Sequence, residues 1–211
     1  MRRTVIVMLK EPRPGRVKTR LARGIGPVAA AWWFRHQSLA LLRRIRDPRW
    51  RVVLAVSPDR DGLVSRIWPS CFARIPQGRG DLGQRMARAI RGVGVGPVCL
   101  IGTDIPGVGK PELARAFAAL GRHQAVFGPA RDGGFWLVGL KHPRHMPARL
   151  FHNVRWSCEH ALADSRATVP DLSVALVDEL QDVDTAADLE RIRDLSLLTM
   201  TRQHRHVRAK P

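Results

Sequence analysis

The sequence predicts an α/β fold with a mostly parallel sheet and helices on both of its faces. Short runs of β-branched and other apolar residues alternate along the chain with longer stretches of helical periodicity. Such alternation is typical of strand–helix units whose strands lie parallel. The polar, glycine-rich motifs also follow strands, where ligands bind in sheets of this kind. A length of 211 residues suits one domain, which we expect over residues 1–198.

In the first half of the chain the apolar pattern changes between strand and helix at proline and glycine. Residues Thr4–Leu9 are apolar on both faces and predict a buried strand, and Pro12, Pro14 and Gly15 then enforce a loop. The further elements predicted here are a helix Pro27–Ile45, a strand Arg51–Val56, a short helix from the turn Ser57–Asp59 through Ile67, and a strand Phe72–Ile75.

The second half repeats the alternation. Asp81 is a suitable N-cap for a helix Leu82–Ile90, and Pro111 is placed as the first residue of a helix that runs to Leu120. The remaining predicted strands are Pro97–Ile101, Gln124–Gly128, Phe135–Leu140 and Ser173–Val177, and the remaining predicted helices are Ser157–Ser165 and Thr185–Leu195.

The chain carries a formal net charge of +18, yet only five of its 36 basic residues are lysine. The arginines are spread along the chain, and such a surface attracts any polyanion, including phosphorylated substrates. We expect no specific nucleic-acid partner. No apolar run is long enough to span a membrane, and Val5–Leu9 is too short for a secretory signal. We therefore expect a cytoplasmic protein, with a basic, disordered tail at residues 199–211.

The segment Lys10–Leu21 brings five cationic side chains together directly after the first strand. Proline restricts the backbone of this segment, and glycine allows it to approach a ligand closely. Lysine and arginine can neutralise a diphosphate, arginine through two hydrogen bonds at once. The segment therefore predicts a phosphate-binding loop, although it lacks the Walker A pattern and could also be a basic surface loop.

Three later motifs place further chemistry after strands. Gln77–Met86 has glycines around a helix N-cap, where backbone amides can face an anion, and it could equally be a flexible loop before an ordinary helix. Asp104 follows an apolar strand and suits a hard divalent cation that bridges the protein to a diphosphate, unless it only caps a turn. The Asp132–Gly134 turn is either a simple hairpin or an acidic acceptor beside the pocket.

A closing acidic motif, Leu180–Leu189, has two interpretations. Thr185 or Asp184 can cap the final helix. Asp182 and Asp184 can instead complete a metal site with Asp104.

Together these motifs resemble the DUF2064 family, the selenodomain-associated transferases. The resemblance is carried by Lys10–Leu21, Gly80–Met86, Gly102–Pro106, Gly128–Phe135, Trp156-Ser157 and Asp182–Leu189, and it spans residues 4–195. The family is grouped with glycosyltransferases of the GT-A fold and includes proteins assigned to arsenosugar biosynthesis. Molybdenum-cofactor and phospholactate guanylyltransferases share the layout. The resemblance thus implies a GT-A, nucleotide-diphospho-sugar-transferase-like Rossmann sandwich of three layers.

The motifs and the resemblance together predict roles for individual residues. Asp104 and Asp184 would bind Mg²⁺ or Mn²⁺, and Asp132 would bind the sugar or act as base. Nucleotide phosphates would be bound by two groups of residues: Lys10, Pro14, Gly15, Arg16, Lys18, Thr19 and Arg20, and then Gly80, Asp81, Leu82, Gly83 and Arg85. The substrate would contact Gly133, Gly134, Trp156 and Ser157. This chain departs from the family in having Phe135 where tyrosine is frequent, and one carboxylate at Asp104 where many GT-A enzymes have two.

The function expected from these observations is transfer of a sugar from a nucleoside diphosphate donor to a small acceptor. Transfer of a nucleotidyl group, with release of pyrophosphate, is the alternative, because both classes use the same fold and similar loops. A non-enzymatic nucleic-acid-binding protein is a weaker alternative that rests on the charge alone. The sequence does not predict the donor sugar, the nucleobase, the acceptor or the oligomeric state.

Overall fold

The computed structural model describes residues 2–191, which form a seven-stranded sheet with helices packed on both faces. The strands are β1 (Arg3–Lys10), β2 (Trp50–Ser57), β3 (Ala73–Pro76), β4 (Val98–Ile101), β5 (Ala125–Pro129), β6 (Phe135–Leu140) and β7 (Val174–Leu176). The helices are α1 (Thr19–Ile25), α2 (Pro27–Arg44), α3 (Asp59–Leu63), α4 (Leu82–Gly92), α5 (Lys110–Arg122) and α6 (Ala161–Ala167), with a single 3₁₀ turn at Pro143–His145.

The strand order is β3-β2-β1-β4-β6-β5-β7. All neighbouring strands are parallel except β6, which is antiparallel to both β4 and β5. The carboxyl ends of the parallel strands therefore meet at one edge, and the amino end of β6 joins them there. The α/β prediction with a mostly parallel sheet is confirmed.

Two apolar cores, one on each face of the sheet, hold the helices. Alternate residues of β1 point to opposite faces, so Val5 and Val7 lie in one core and Ile6 in the other. The first core contains the apolar sides of α2 and α5, and the second contains that of α4. Helix, sheet and helix thus form the three layers expected of this architecture.

Three predicted boundaries were wrong. The short helix predicted to run through Ile67 ends at Leu63. The predicted loop Lys10–Leu21 ends earlier, because Lys18 is the N-cap of α1, a helix that the sequence analysis missed. The helix predicted at Ser157–Ser165 begins only at Ala161, because Ser157 has a positive φ of 61° that is incompatible with a helix.

The end of the chain is only partly described. Residues 186–191 are helical, which agrees with the first part of the helix predicted at Thr185–Leu195. The rest of that helix and the predicted tail at 199–211 lie outside the described residues. Among the helices of residues 2–191, none is both long and apolar enough to cross a membrane.

Candidate active site

The edge of the sheet where the parallel strands end borders a cavity of about 840 Å³. Its wall is formed largely by segments that follow β1, β3, β4, β5, β6 and β7. Residues predicted from six separate motifs line this one cavity. They are Lys10, Lys18, Thr19, Arg20, Gly80, Asp81, Arg85, Asp104, Asp132, Ser157 and Asp184.

The cationic segment after β1 contributes only part of its length to the cavity. Lys10 lines the cavity at the end of β1, whereas Pro14, Gly15 and Arg16 do not line it. The turn Arg13–Arg16 is closed by a hydrogen bond from the Arg16 amide to the Arg13 carbonyl (3.0 Å). The exposed Arg13 side chain pairs with Asp61 at 2.8 Å. The chain then returns to the cavity at residue 17.

Lys18 is enclosed between two carboxylates. Its Nζ atom donates to Asp184 Oδ1 at 2.6 Å and to Asp104 Oδ2 at 3.0 Å, and its side chain is only 7% exposed. Burial lowers the pKa of Lys18, but the two carboxylates outweigh it, so the pKa is raised overall. Its backbone is left-handed, with φ 46°, a conformation that costs free energy in a residue other than glycine.

Asp104, Asp182 and Asp184 form a cluster, in which one oxygen from each carboxylate lies within 4.8 Å of the others. The Val183 amide donates to the Asp104 carbonyl (3.0 Å), which joins the segment after β4 to the segment after β7. The pKa of Asp182 is raised to about 6 by burial and by repulsion from Asp184, Asp104 and Asp132. Three carboxylates in this arrangement are a suitable oxygen donor set for Mg²⁺ or Mn²⁺.

The start of α4 forms the opposite wall of the cavity. Asp81 caps the helix by accepting a hydrogen bond from the Gln84 amide (2.8 Å), and the Gln84 side chain accepts from the Asp81 amide (3.2 Å). Arg85 donates to the Gly80 carbonyl at 2.9 Å and also lines the cavity, as does the half-exposed Leu82.

Gly83, which the resemblance assigned to phosphate binding, does not line the cavity. A Cβ atom at this position would lie 2.7 Å from Phe151 Cβ and 2.8 Å from Trp156 Cζ2. The absence of a side chain at Gly83 therefore serves close packing of α4 against the segment 151–156.

Asp132 and Gly134 line the cavity in the turn between β5 and β6. The Asp132 carboxylate accepts a hydrogen bond from the Gly134 amide at 2.9 Å. Gly133 does not line the cavity. Its φ is 82°, and the Glu159 backbone leaves no room for a Cβ atom at this position. The turn is thus a hairpin, as one interpretation of the sequence predicted, and it also presents a carboxylate to the cavity.

An aromatic wall completes the cavity. Phe135 packs against Phe127, Phe151 and Trp156, with ring centroids 5.4–6.3 Å apart. Ser157 lies next to Trp156 in the cavity wall. Since Phe135 and Trp156 both line the cavity, its wall has an apolar surface as well as charged groups.

Gln77 lies in the motif Gln77–Met86, but no role was predicted for it from the sequence. Gln77 lines the cavity and is almost completely buried. Its Nε2 atom donates to the Leu9 carbonyl (3.0 Å) and the Ala55 carbonyl (2.8 Å), which joins β1 to β2 at their carboxyl ends. The feature of the sequence that could have indicated this position is a polar residue shortly after a predicted strand.

Comparison with known proteins agrees with the fold. A candidate nucleotide-diphospho-sugar transferase from Desulfovibrio desulfuricans G20 is 27% identical, with a TM-score of 0.78 over 90% of this chain and 85% of that one. The 4-diphosphocytidyl-2C-methyl-D-erythritol synthase of Anaerococcus prevotii DSM 20548 is 10% identical, with a TM-score of 0.57 over 89% of this chain and 94% of its own.

A third similar structure is that of Rv0371c from Mycobacterium tuberculosis H37Rv in complex with manganese. It is 14% identical, with a TM-score of 0.54 over 90% of this chain and 97% of that one. No protein of curated function matches the sequence. The fold is therefore that of the nucleotidyl and nucleotide-sugar transferases. More particularly, residues 40–158, over half of the chain, match the DUF2064 family model, described as an uncharacterised protein conserved in bacteria, and the chain belongs to that family.

Proposed function

We propose that the protein is a metal-dependent glycosyltransferase that takes a sugar from a nucleoside diphosphate donor and transfers it to a small acceptor. The observation that carries the proposal is the cluster of Asp104, Asp182 and Asp184 with Lys18, at the floor of a cavity of about 840 Å³. That combination of carboxylates and cations suits a nucleoside diphosphate bound together with a divalent cation.

The leaving group determines what the site must do. When the glycosidic C–O bond to the diphosphate breaks, its electron pair stays on the phosphate oxygen, and negative charge grows there. Lys10, Lys18 and Arg20 line the cavity and would stabilise that charge through charge-assisted hydrogen bonds. Mg²⁺ or Mn²⁺, held by the three carboxylates, would add positive charge at the same diphosphate.

The acceptor would attack the anomeric carbon from the side of the hairpin turn. Asp132 is exposed in that turn and carries a carboxylate that would take the proton released by an acceptor hydroxyl, or would bind the sugar hydroxyls. The aromatic wall around Phe135 and Trp156 would pack against the apolar face of the sugar or the acceptor.

Nucleotidyl transfer is a second candidate, and a specific observation favours it. Several solved structures with the same fold are nucleotidyltransferases, among them one from Methanothermobacter that aligns with 94% of this chain at a TM-score of 0.59. In that reaction a phosphorylated acceptor would attack the α-phosphate of a nucleoside triphosphate, and pyrophosphate would leave with the electron pair. The same cations would stabilise the pyrophosphate.

Product analysis distinguishes the two reactions. The protein is incubated with UDP-, GDP-, ADP-, CDP- and dTDP-sugars, or with the nucleoside triphosphates and phosphorylated acceptors, in Mn²⁺ or Mg²⁺. We expect a thermal shift with at least one nucleotide sugar, and release of its nucleoside diphosphate. Release of pyrophosphate from a triphosphate, without hydrolysis of any nucleotide sugar, would replace the proposal by the second candidate. Neither binding nor turnover in either panel would contradict both.

A further inference from the structure

The side chain of Lys18 lies where it competes directly with a divalent cation. Its ammonium group is hydrogen-bonded to Asp184 Oδ1 at 2.6 Å and to Asp104 Oδ2 at 3.0 Å. These two carboxylates belong to the three that lie close enough together to hold a metal ion. Because the side chain is only 7% exposed, the ammonium lies inside the cluster rather than at its rim.

An ammonium group and a divalent cation cannot both occupy this cluster at low cost. Each would use the oxygens of Asp104 and Asp184, and their like charges would be only a few ångströms apart in a partly buried site, where repulsion is poorly screened. Arg20 is different, because its guanidinium approaches Asp184 Oδ2 from outside, at 3.3 Å, and its side chain is 57% exposed.

The ammonium can leave the cluster without refolding of the loop. The Lys18 backbone is fixed as the N-cap of α1, but the four-carbon side chain can rotate about its own bonds. Lys18 also lines the cavity together with Lys10 and Thr19, so an anion bound in the cavity lies within reach of its ammonium group. A diphosphate is thus an alternative partner for the Lys18 ammonium group, and it is negatively charged like the two carboxylates.

We propose that Lys18 excludes divalent cations from the Asp104–Asp182–Asp184 cluster until the phosphates of a nucleotide draw its ammonium away. The inference rests on the proposed function, since it assumes that a nucleotide and a metal ion share this cavity. Metal and nucleotide then bind with positive cooperativity, and Lys18 is the source of the coupling. Each ligand strengthens the binding of the other by the same factor.

The test is a titration with Mn²⁺ in the absence of nucleotide, followed through the electron paramagnetic resonance signal of free Mn²⁺. We expect Lys18→Met to bind Mn²⁺ at least about tenfold more tightly than the unmodified protein, because the competing charge is removed. Lys10→Met is the matched control, since it removes the same charge from the same cavity wall without touching the cluster. We expect Lys10→Met to change the affinity less than about threefold.

A second variant and a second measurement complete the design. Lys18→Asn replaces Lys18→Met if the latter fails to unfold cooperatively on heating, because asparagine tolerates the left-handed backbone at residue 18. For the nucleoside diphosphate that gives the largest thermal shift, calorimetry measures the gain in nucleotide affinity at saturating Mn²⁺. We expect that gain to be smaller in the Lys18 variants than in the unmodified protein.

The outcomes separate this inference from the proposed function. Equal Mn²⁺ affinity in the Lys18 variants and the unmodified protein would overturn the inference and leave the function standing. Equal tightening in Lys10→Met would also overturn it, because the effect would then be one of general charge. Absence of Mn²⁺ binding in every variant, with and without nucleotide, would overturn both.

Discussion

The middle and the end of the cationic segment Lys10–Leu21 both carry cationic side chains but have different surroundings. In the middle, Arg13 pairs with Asp61, and Arg16 remains outside the cavity. Near the end, Lys18 contacts carboxylates that lie 86 and 166 positions further along the chain. The difference teaches that a cationic motif predicts an affinity for anions, whereas the backbone turn decides which of its side chains reach the site.

The same division occurs in the motif at the start of α4. Gly80, Asp81 and Arg85 line the cavity, whereas Gly83 does not line it and packs closely against Phe151 and Trp156. A motif therefore contains residues that contact ligands and residues that support the wall. Substitutions at the two kinds of position should change different measured quantities.

The largest effect is expected at Asp184, the distant carboxylate that Lys18 contacts. Asp184→Asn removes a charge from the carboxylate cluster while it preserves the size of the side chain. We expect kcat/KM to fall on the order of 100-fold, because the cation loses one of its charged ligands. Asp178→Asn is the control, since that carboxylate pairs with Arg115 away from the cavity. Full activity in Asp184→Asn would contradict the assignment of the cluster.

Substitution of a residue that supports the cavity wall should lower the stability of the fold. Gly83→Ala adds a methyl group that meets Phe151 and Trp156, including backbone atoms that cannot move as the end of a side chain can. Overpacking of this kind costs about 1–3 kcal/mol, and the better helix propensity of alanine offsets about 1 kcal/mol of it. We expect a net loss of up to about 2 kcal/mol in the free energy of unfolding, measured by urea denaturation.

Gly92→Ala provides the comparison for that measurement, because a Cβ at Gly92, the last residue of α4, meets no other atom within 4 Å. If the Gly83→Ala variant proved as stable as the Gly92→Ala variant, α4 would have to be free to move away from the segment 151–156.

The smallest effect is expected when substitutions of two arginines in the segment Lys10–Leu21 are compared. Arg20 lines the cavity and Arg16 does not. We expect Arg20→Ala to weaken nucleotide binding about tenfold, which is the usual size of one charge-assisted hydrogen bond, and Arg16→Ala to weaken it less than about twofold. Calorimetric titration with the nucleoside diphosphate of highest affinity measures both. Equal losses would show that the segment acts through its total charge.

The sequence predicted the parts of the fold that depend on local patterns. The apolar runs predicted all seven strands within about two residues of their observed ends, and Asp81 predicted the start of α4, because an N-cap acts on its own helix. The helix α1 was missed because the prolines and cations before it suggest a continuous loop. The left-handed turn at Lys18 that begins this helix is uncommon for a lysine.

The site was less predictable than the fold for a related reason. Asp104 and Asp132 could be placed at the edge of the sheet, because they follow predicted strands. The position of Asp182 beside them depends on how the segment after β7 crosses to Asp104, through the bond from the Val183 amide. Gln77 was not assigned because its two partners, the carbonyls of Leu9 and Ala55, become neighbours only when β1 and β2 pair.

The position of Asp182 and Asp184 late in the chain has a consequence for synthesis of the protein on the ribosome. A growing chain that ends after β6 already contains Lys18 and Asp104, and with them most of the sheet. It still lacks two of the three clustered carboxylates. The nascent polypeptide therefore passes through a stage in which most strands of the sheet have been made but the carboxylate cluster cannot form, and the cluster can assemble only when the last strand and the segment after it have emerged.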